Sequence, residues 1–376
     1  MSIPVNTPLF SGNEKEYLLN CISTGWISSE GPYIDEFEKK FAKYIGCNFG
    51  ITCSNGSAAL DIAVAALSLG KGDEVIMPTF TIISPALSVV RAGATPVLVD
   101  CNAETWNMSV EQIEAKITKK TKAIIVVHIY GLPVDMDPII LLCNNYKLRL
   151  IEDAAEMHGQ TYKNRMCGSF GDISIFSFYP NKHITTGEGG MIVTDDDELA
   201  QRCKKLRNLA FETQGRRFIH YELGWNYRMT NLQAALGLAQ LEKIDSHISR
   251  KREIGHLYND KLKDVKDFFQ LPVERTDYAD NIYWVFAMIA KSEKLMLDMV
   301  NYLESKKIGT RPFFWCIHEQ PVFINMGLFK NEKYSNAEKI ARNGFYIPSG
   351  LGLQNEEIEI VTNEMKAFIN SYKQHI

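Results

Sequence analysis

The chain has 376 residues, of which 45% are apolar and 23% charged, and its formal net charge is -4. That is enough apolar material for a large core or two domains, and it excludes a disordered or low-complexity chain. A mildly acidic balance offers no broad basic footprint for nucleic acid, so the charge points to small-molecule partners.

The N-terminus, Met1-Ser2-Ile3-Pro4-Val5, lacks the basic region and unbroken apolar core of a signal peptide, and no apolar run reaches the ~18 residues of a membrane span. A cytoplasmic protein with no membrane association is expected. Ile34, Phe37, Phe41 and Ile45 recur at helical spacing. Phe49 to Cys53 then reads as a strand, and Ala58 to Leu69 as a helix with Leu60, Val64 and Leu67 on one side. Strand and helix alternate again in Glu74 to Met77 and Pro85 to Arg91, in Thr95 to Asp100 and Val110 to Ile117, and in Ala123 to His128 and Asp137 to Tyr146. The series reaches a further strand at Arg149 to Asp153. Such alternation predicts a mostly parallel sheet with helices on both faces.

Ile173 to Phe178 and Met191 to Thr194 are two further apolar runs, separated by a segment broken at Gly187, Gly189 and Gly190. Thr230 and Asn231 are capping residues ahead of Leu232, Leu236, Ala239 and Lys243, and helical spacing with a charged face continues to about Lys263. This region predicts a bridge from a large domain, residues 1–245 with an N-terminal arm, to a smaller C-terminal α/β domain, residues 246–376. In the smaller one Tyr283 to Ala290 and Gly309 to Phe313 read as strands, and Lys294 to Lys306 and Glu356 to Tyr372 as helices. The eight cysteines are scattered without a C-x-x-C pair or a histidine at metal-ligand spacing, so free thiols and no bound metal are expected.

Lys182 follows the run Ile173 to Phe178, in Tyr179-Pro180-Asn181-Lys182-His183, at the mouth of the predicted sheet; Asp153 ends an earlier strand. A lone lysine is most often a solvated surface charge, and a carboxylate at a strand end is often a helix cap. Placed together in this way they match what pyridoxal phosphate (PLP) requires. An amine must condense with the cofactor's aldehyde, and a carboxylate must keep its pyridine nitrogen protonated. Ser54-Asn55-Gly56-Ser57-Ala58-Ala59 joins a strand to a helix, where free N–H groups and the helix dipole suit a phosphate, although a tight turn with a serine cap reads the same way. Ser177 would add a hydroxyl to that phosphate site. Gly224-Trp225-Asn226-Tyr227-Arg228-Met229-Thr230-Asn231 reads as a helix entry or a binding segment. Thr310-Arg311-Pro312-Phe313-Phe314-Trp315-Cys316-Ile317-His318 reads as a core strand or a surface for stacking a base.

Taken together, the sequence resembles the PLP-dependent nucleotide-sugar aminotransferases of the DegT and StrS type. The resemblance rests on Gly25-Trp26-Ile27-Ser28-Ser29 with Gly31-Pro32, the Ser54 to Ala59 turn, Gly72-Asp73-Glu74-Val75 and Gly93-Ala94-Thr95-Pro96-Val97. It continues through Glu152-Asp153-Ala154-Ala155-Glu156, Gly168-Ser169-Phe170-Gly171-Asp172 and Lys182 to Gly190, covering nearly the whole chain. It implies the α/β architecture of fold type I, with a mostly parallel, mixed sheet between helices in the large domain. It also implies L-glutamate as amino donor, a nucleotide-linked keto sugar as acceptor, and pyridoxamine phosphate as the intermediate form of the cofactor.

Within that family, Asn226 to Asn231, Ile184 to Gly190 and Thr310 to Phe314 are most similar to GDP-perosamine synthases, which aminate C4 of GDP-4-keto-6-deoxy-D-mannose. The chain departs from them at Pro180, where they have glycine, and at Ile82, where they have an aromatic residue, so the cover over the cofactor's exposed face is expected to differ. A C3 or C4 aminotransferase of a dTDP- or UDP-linked keto sugar stays open, as do a sugar dehydratase, in which histidine replaces the lysine, and a non-catalytic sugar-nucleotide-binding protein. By the resemblance, Lys182 forms the Schiff base and Asp153 pairs with the pyridinium. Gly56, Ser57 and Ser177 hold the phosphate, and Glu156 lies near the cofactor's O3′ or the substrate. Asn226 reaches the phosphate of a neighbouring subunit, which implies a homodimer with shared sites. Trp26, Ser28, His183, Arg228, Arg311 and His318 are the candidate substrate contacts.

Overall fold

The computed structural model describes residues 2–212 and 216–374. Helices α1 (Glu14–Thr24) and α2 (Pro32–Ile45) precede the sheet. There follow β1 (Phe49–Cys53), α3 (Gly56–Ala66), β2 (Glu74–Pro78), α4 (Ser84–Arg91), β3 (Thr95–Val99), β4 (Thr121–Val127), α5 (Met136–Tyr146) and β5 (Arg149–Asp153). A hairpin of β6 (Thr161–Tyr162) and β7 (Arg165–Met166) leads to β8 (Ile173–Ser177), β9 (Gly190–Thr194) and α6 (Asp197–Arg207). Helices α7 (Asn231–Leu241) and α8 (Ile244–Lys261) then lead to β10 (Phe269–Gln270), β11 (Phe286–Ala290), α9 (Glu293–Ser305) and β12 (Arg311–Pro312). The chain closes with α10 (Pro321–Asn325), α11 (Ser335–Asn343), β13 (Gly344–Ile347) and α12 (Asn355–Lys373).

The central sheet has seven strands in the order β1-β9-β8-β5-β4-β2-β3, and β9 runs antiparallel to both its neighbours. Strands β4 and β5 are buried along nearly their whole length, as a parallel sheet covered on both faces requires. Phe37 and Phe41 of α2 lie in the core on one face, with Phe176 and Met191. Leu60 and Val64 of α3 lie on the other, with Val75 and Ile151. The second sheet has four strands in the order β10-β11-β13-β12. Ala287 of β11, with Trp284 just before that strand and Phe313 just after β12, shares a core cluster with Val127 and Ile151, so the two sheets are joined through packed side chains. At the N-terminus, Ile3 forms a bridge to Ile308 and Gly309 donates to its carbonyl. No described helix is both long and apolar enough to cross a membrane.

Register decides where the loops emerge. Asp153 stands across from Val127 of β4 and Ile175 of β8, so the segments leaving these parallel strands share one edge. Gly190 of β9 pairs with both Cys53 and Ser177, which brings the end of β1 to the same edge. The carboxyl ends of parallel strands are where open α/β sheets bind ligands.

Several expected elements take a different form. Val110 to Ile117, expected as an α-helix, is two single 3-10 turns, Val110–Gln112 and Glu114–Lys116. Only Ile113 is fully buried there, and the N–H of Thr118 turns onto Thr121 Oγ1 at 2.9 Å, starting β4. Strand β11 starts at Phe286 rather than Tyr283, whose φ of 51° lies outside the extended region. Helix α1 was not anticipated because its only buried residues are Glu14 and Cys21, which leave no apolar stripe to read.

Candidate active site

One cavity of about 510 Å³ opens at the carboxyl edge of the central sheet. Its floor includes Gly56, Ser57, Asp153, Glu156, Ser177 and Lys182, brought together from the ends of β1, β5 and β8. At one end Asn55 caps α3, its Oδ1 accepting from the N–H of Ala58 at 2.8 Å. The N–H groups of Gly56 and Ser57, first in the helix, have no partner within it. Ser57 Oγ meets Ser84 Oγ at 2.7 Å, and Ser177 stands against Gly56: a Cβ on Gly56 would lie 2.8 Å from that of Ser177. Thr81 also lines the cavity, and its buried hydroxyl has no hydrogen-bond partner among the described residues. Unpaired N–H groups, three serine hydroxyls and an orphaned threonine make a seat for a phosphate.

Asp153 is buried, and one of its oxygens accepts from the N–H of Ala155 at 3.1 Å. Burial pushes its carboxyl up to about 6, against the pull of Lys182. A carboxyl without a close cation of its own suits a protonated ring nitrogen. Glu152, the residue before it, is fully buried and accepts from His128 Nε2 at 3.0 Å, from the N–H groups of Gly168 and Phe170, and from Ser174 Oγ. His128 Nδ1 accepts from the N–H of Val134 at 3.0 Å, so the ring is neutral with its proton on Nε2. Glu152 thus ties the 168–171 turn beneath β5 and fixes the strand that presents Asp153.

Lys182 Nζ lies 3.7 Å from Glu156 Oε1, with both side chains about a tenth exposed at 10% and 8%. The other oxygen of Glu156 accepts from the N–H of Tyr130 at 2.7 Å. Burial lowers the lysine's pKa and raises that of Glu156 to about 8. An amine in a closed site, a carboxyl facing the ring-nitrogen position and a phosphate seat fit the three handles of PLP.

The remaining candidates lie elsewhere. Trp26 and Ser28 present their carbonyls to Asn231, while Arg228 Nε donates to Asn226 Oδ1 at 2.9 Å. None of these four lines the Lys182 cavity; Arg228 lines a separate one of about 760 Å³ with Ser29 and Arg207. His183 is buried behind the site, its carbonyl facing His247 Nδ1 at 2.9 Å. Arg311 pairs in register with Tyr346, which lines the cavity, so it stands at the rim. His318 is buried between Thr79 Oγ1 and Glu338 Oε1, at 2.8 and 3.2 Å. Thr81, Ser84, Trp284, Phe314 and Tyr346 line the cavity without having been singled out as site residues. Phe314 lay in the aromatic stretch noted above; Tyr346 comes from β13 and Trp284 from the segment leading into β11, and neither carries a local signal.

The sequence model of the DegT/DnrJ/EryC1/StrS aminotransferase family matches residues 9–366. The GDP-perosamine synthase of Escherichia coli O157:H7 is 44% identical over 370 residues, covering 97% of this chain and 98% of its own. That of Caulobacter vibrioides is 41% identical over 96% of both chains. Among solved structures, the aminotransferase TlmJ of Streptoalloteichus hindustanus superposes with a TM-score of 0.92 at 26% identity, over 99% of this chain and 100% of that one.

Proposed function

The chain belongs to the DegT/DnrJ/EryC1/StrS aminotransferase family and is a PLP-dependent sugar aminotransferase of fold type I, and we propose that it moves the amino group of L-glutamate to C4 of GDP-4-keto-6-deoxy-D-mannose, giving GDP-perosamine. The observation that carries the chemistry is the buried amine of Lys182 in one cavity with Asp153 and the first turn of α3. The choice of sugar nucleotide is supported by the two GDP-perosamine synthases similar to nearly the full chain.

Bound in this cavity, PLP supplies an aldehyde that condenses with amines and a ring that takes up the electron pair freed when a C–H bond beside nitrogen breaks. In our reading the N-terminus of α3 with Ser57 and Ser177 holds its phosphate, and Asp153 holds a proton on its ring nitrogen. Lys182 would supply the amine that condenses with that aldehyde, and its Nζ, when free, would be the group placed to hold and move a proton beside the substrate. Glu156 stands where it can take a proton from that amine or return it. Trp284, Phe314 and Ile82 give the cavity an aromatic and apolar lining beside the reacting atoms.

The enzyme is further proposed to be a cytoplasmic homodimer, with residues 1–245 as the cofactor domain and 246–376 as the smaller one. Asn226, Arg228, Trp26 and Ser28 lie away from the Lys182 cavity of their own chain, which supports their reaching a partner's site. Leu19, Ile22, Trp26 and Ile27, close in sequence, are exposed apolar side chains, suited to cover by a second copy. All eight cysteines are free, in keeping with a reducing compartment.

The test is a panel of GDP-, dTDP- and UDP-linked keto sugars incubated with L-glutamate and read by mass spectrometry. Amination of the GDP-linked 4-keto-6-deoxymannose is expected. Turnover of a dTDP or UDP sugar with none of the GDP sugar would overturn the substrate assignment.

A further inference from the structure

We propose that Trp284 is a positioning residue for Lys182, its indole face being the seat on which the free amine rests as an ammonium ion opposite Glu156. The inference depends on reading Lys182 as the reacting amine. Lys182 Nζ lies 3.8 Å from the centroid of the Trp284 ring, within the range in which the ring's quadrupole attracts a cation. The indole N–H donates to the carbonyl of Asn181 at 2.8 Å, so the ring is fastened to the residue beside the lysine it serves. From behind, the carbonyl of Trp284 accepts from the buried Lys251 of α8 at 2.7 Å, and Lys251 also donates to the carbonyl of Ser349.

The same piece of chain supports both neighbours of the amine. Tyr130 stacks on Trp284 at 5.9 Å and 22° while its N–H holds Glu156. Phe314 stacks on Tyr130 in turn, at 5.3 Å and 29°. Tyr130 and Tyr283 have φ of 55° and 51°, left-handed conformations that cost free energy in residues with a Cβ. Between them Gly131, at φ 104°, packs so closely that an added Cβ would lie 2.6 Å from the backbone nitrogens of Tyr283 and Trp284. Two strained residues and a glycine contact therefore deliver Trp284 and Glu156 to the same amine.

The chemistry asks for such a seat. The lysine would have to leave the cofactor in each half of the reaction and stay within reach, yet burial penalises its charge. The titratable groups around it are Glu156 and Asp153 from the end of β5 and the turn after it, His158 beyond them and His183 beside it, while Tyr130 and Tyr346 act on Glu156 and Lys251 of α8 acts on His183. Burial holds both imidazoles below their ordinary range, so they are neutral, and Lys251 lowers His183 further. The indole face and the carboxyls are the features that favour the ammonium.

The experiment follows the acetylation of Lys182 by acetic anhydride in cofactor-free protein across pH, quantified by peptide mass spectrometry. Trp284→Leu should lower the midpoint by about one pH unit, and Trp284→Phe by less. An unchanged midpoint in folded Trp284→Leu, or equal falls in the two variants, overturns the proposal. Should Trp284→Leu not fold, protein made with mono-, di- and trifluorotryptophan keeps the shape of the ring and weakens its quadrupole. The midpoint should then fall stepwise with fluorine number, and no dependence overturns the proposal. Undiminished turnover by Lys182→Ala would instead remove the reading on which it depends, whatever the labelling shows.

Discussion

Glu156 Oε1 and Lys182 Nζ face each other across 3.7 Å in a site nearly closed to solvent. Glu156 has an ordinary carboxyl pKa of 4.5, raised to about 8 by burial. The folded protein then holds a proton that the unfolded chain gives up, so this group's stabilisation is complete below about pH 4.5 and is lost as pH rises towards 8. In cofactor-free protein, Glu156→Gln should therefore gain on wild type between about pH 5 and pH 8, by at least about 1 kcal/mol, since one pKa unit corresponds to about 1.4 kcal/mol. Urea denaturation at the two pH values checks this, and a difference that does not change with pH would contradict it.

Lys182→Ala should abolish transamination while pyridoxamine phosphate still binds, because the phosphate seat and Asp153 do not need the amine. Asp153→Asn keeps the shape and removes the charge, so single-turnover rates should fall by about a thousandfold or more, with a smaller loss of cofactor affinity. A near wild-type rate in Asp153→Asn would mean that a different carboxyl faces the ring nitrogen.

The approach of Gly56 to Ser177 can be tested by non-additivity. Gly56→Ala places a Cβ 2.8 Å from that of Ser177, so one side of the phosphate seat must move. Its affinity for pyridoxamine phosphate should drop by about tenfold, as overpacking of about 1 to 2 kcal/mol implies. Ser177→Gly removes the opposing atom, and the double variant should bind no worse than Ser177→Gly alone. Losses that simply add, measured by equilibrium titration, would show that the two residues do not meet.

Mixing inactive subunits tests the shared site. Lys182→Ala lacks the amine, and Asn226→Asp would place a negative charge against the partner's phosphate. Heterodimers then carry one site with both defects and one with neither, so activity should return to roughly a quarter of wild type after random exchange of dimers. Full activity in Asn226→Asp alone, or mixtures that stay inactive although heterodimers are demonstrated, would place Asn226 outside the partner's site.

Strands β1 and β5 occupy the residues that the alternation of strand and helix patterns marked, because that alternation is a local property of the sequence. The sequence likewise marked the cap at Thr230, seen as a reciprocal capping box with Gln233, because capping is chemistry between near neighbours. It named Lys182, Asp153, Gly56, Ser57, Glu156 and Ser177 through the residue types that PLP demands and through resemblance. The distances among them came only with the parallel register of β4, β5 and β8, which sets Asp153 beside Val127 and Ile175 and so gathers these chain ends at one edge.

Other features depended on contacts between distant parts of the chain. Trp284 reaches Lys182 because Tyr283 adopts a left-handed turn and Gly131 admits its backbone, and neither condition has a local sequence signature. His183 adjoins Lys182 in sequence, yet its ring is buried behind the site, and His318 is taken up by Thr79 and Glu338. Residue chemistry, spacing and resemblance pointed to most of the elements, to the cofactor class and to Lys182 as the proposed reacting amine, because these follow from local hydrogen bonding, hydrophobic periodicity and the needs of the reaction. The tertiary structure alone decided which side chains surround that amine, since long-range packing, rather than neighbourhood in the chain, sets where each of them comes to rest.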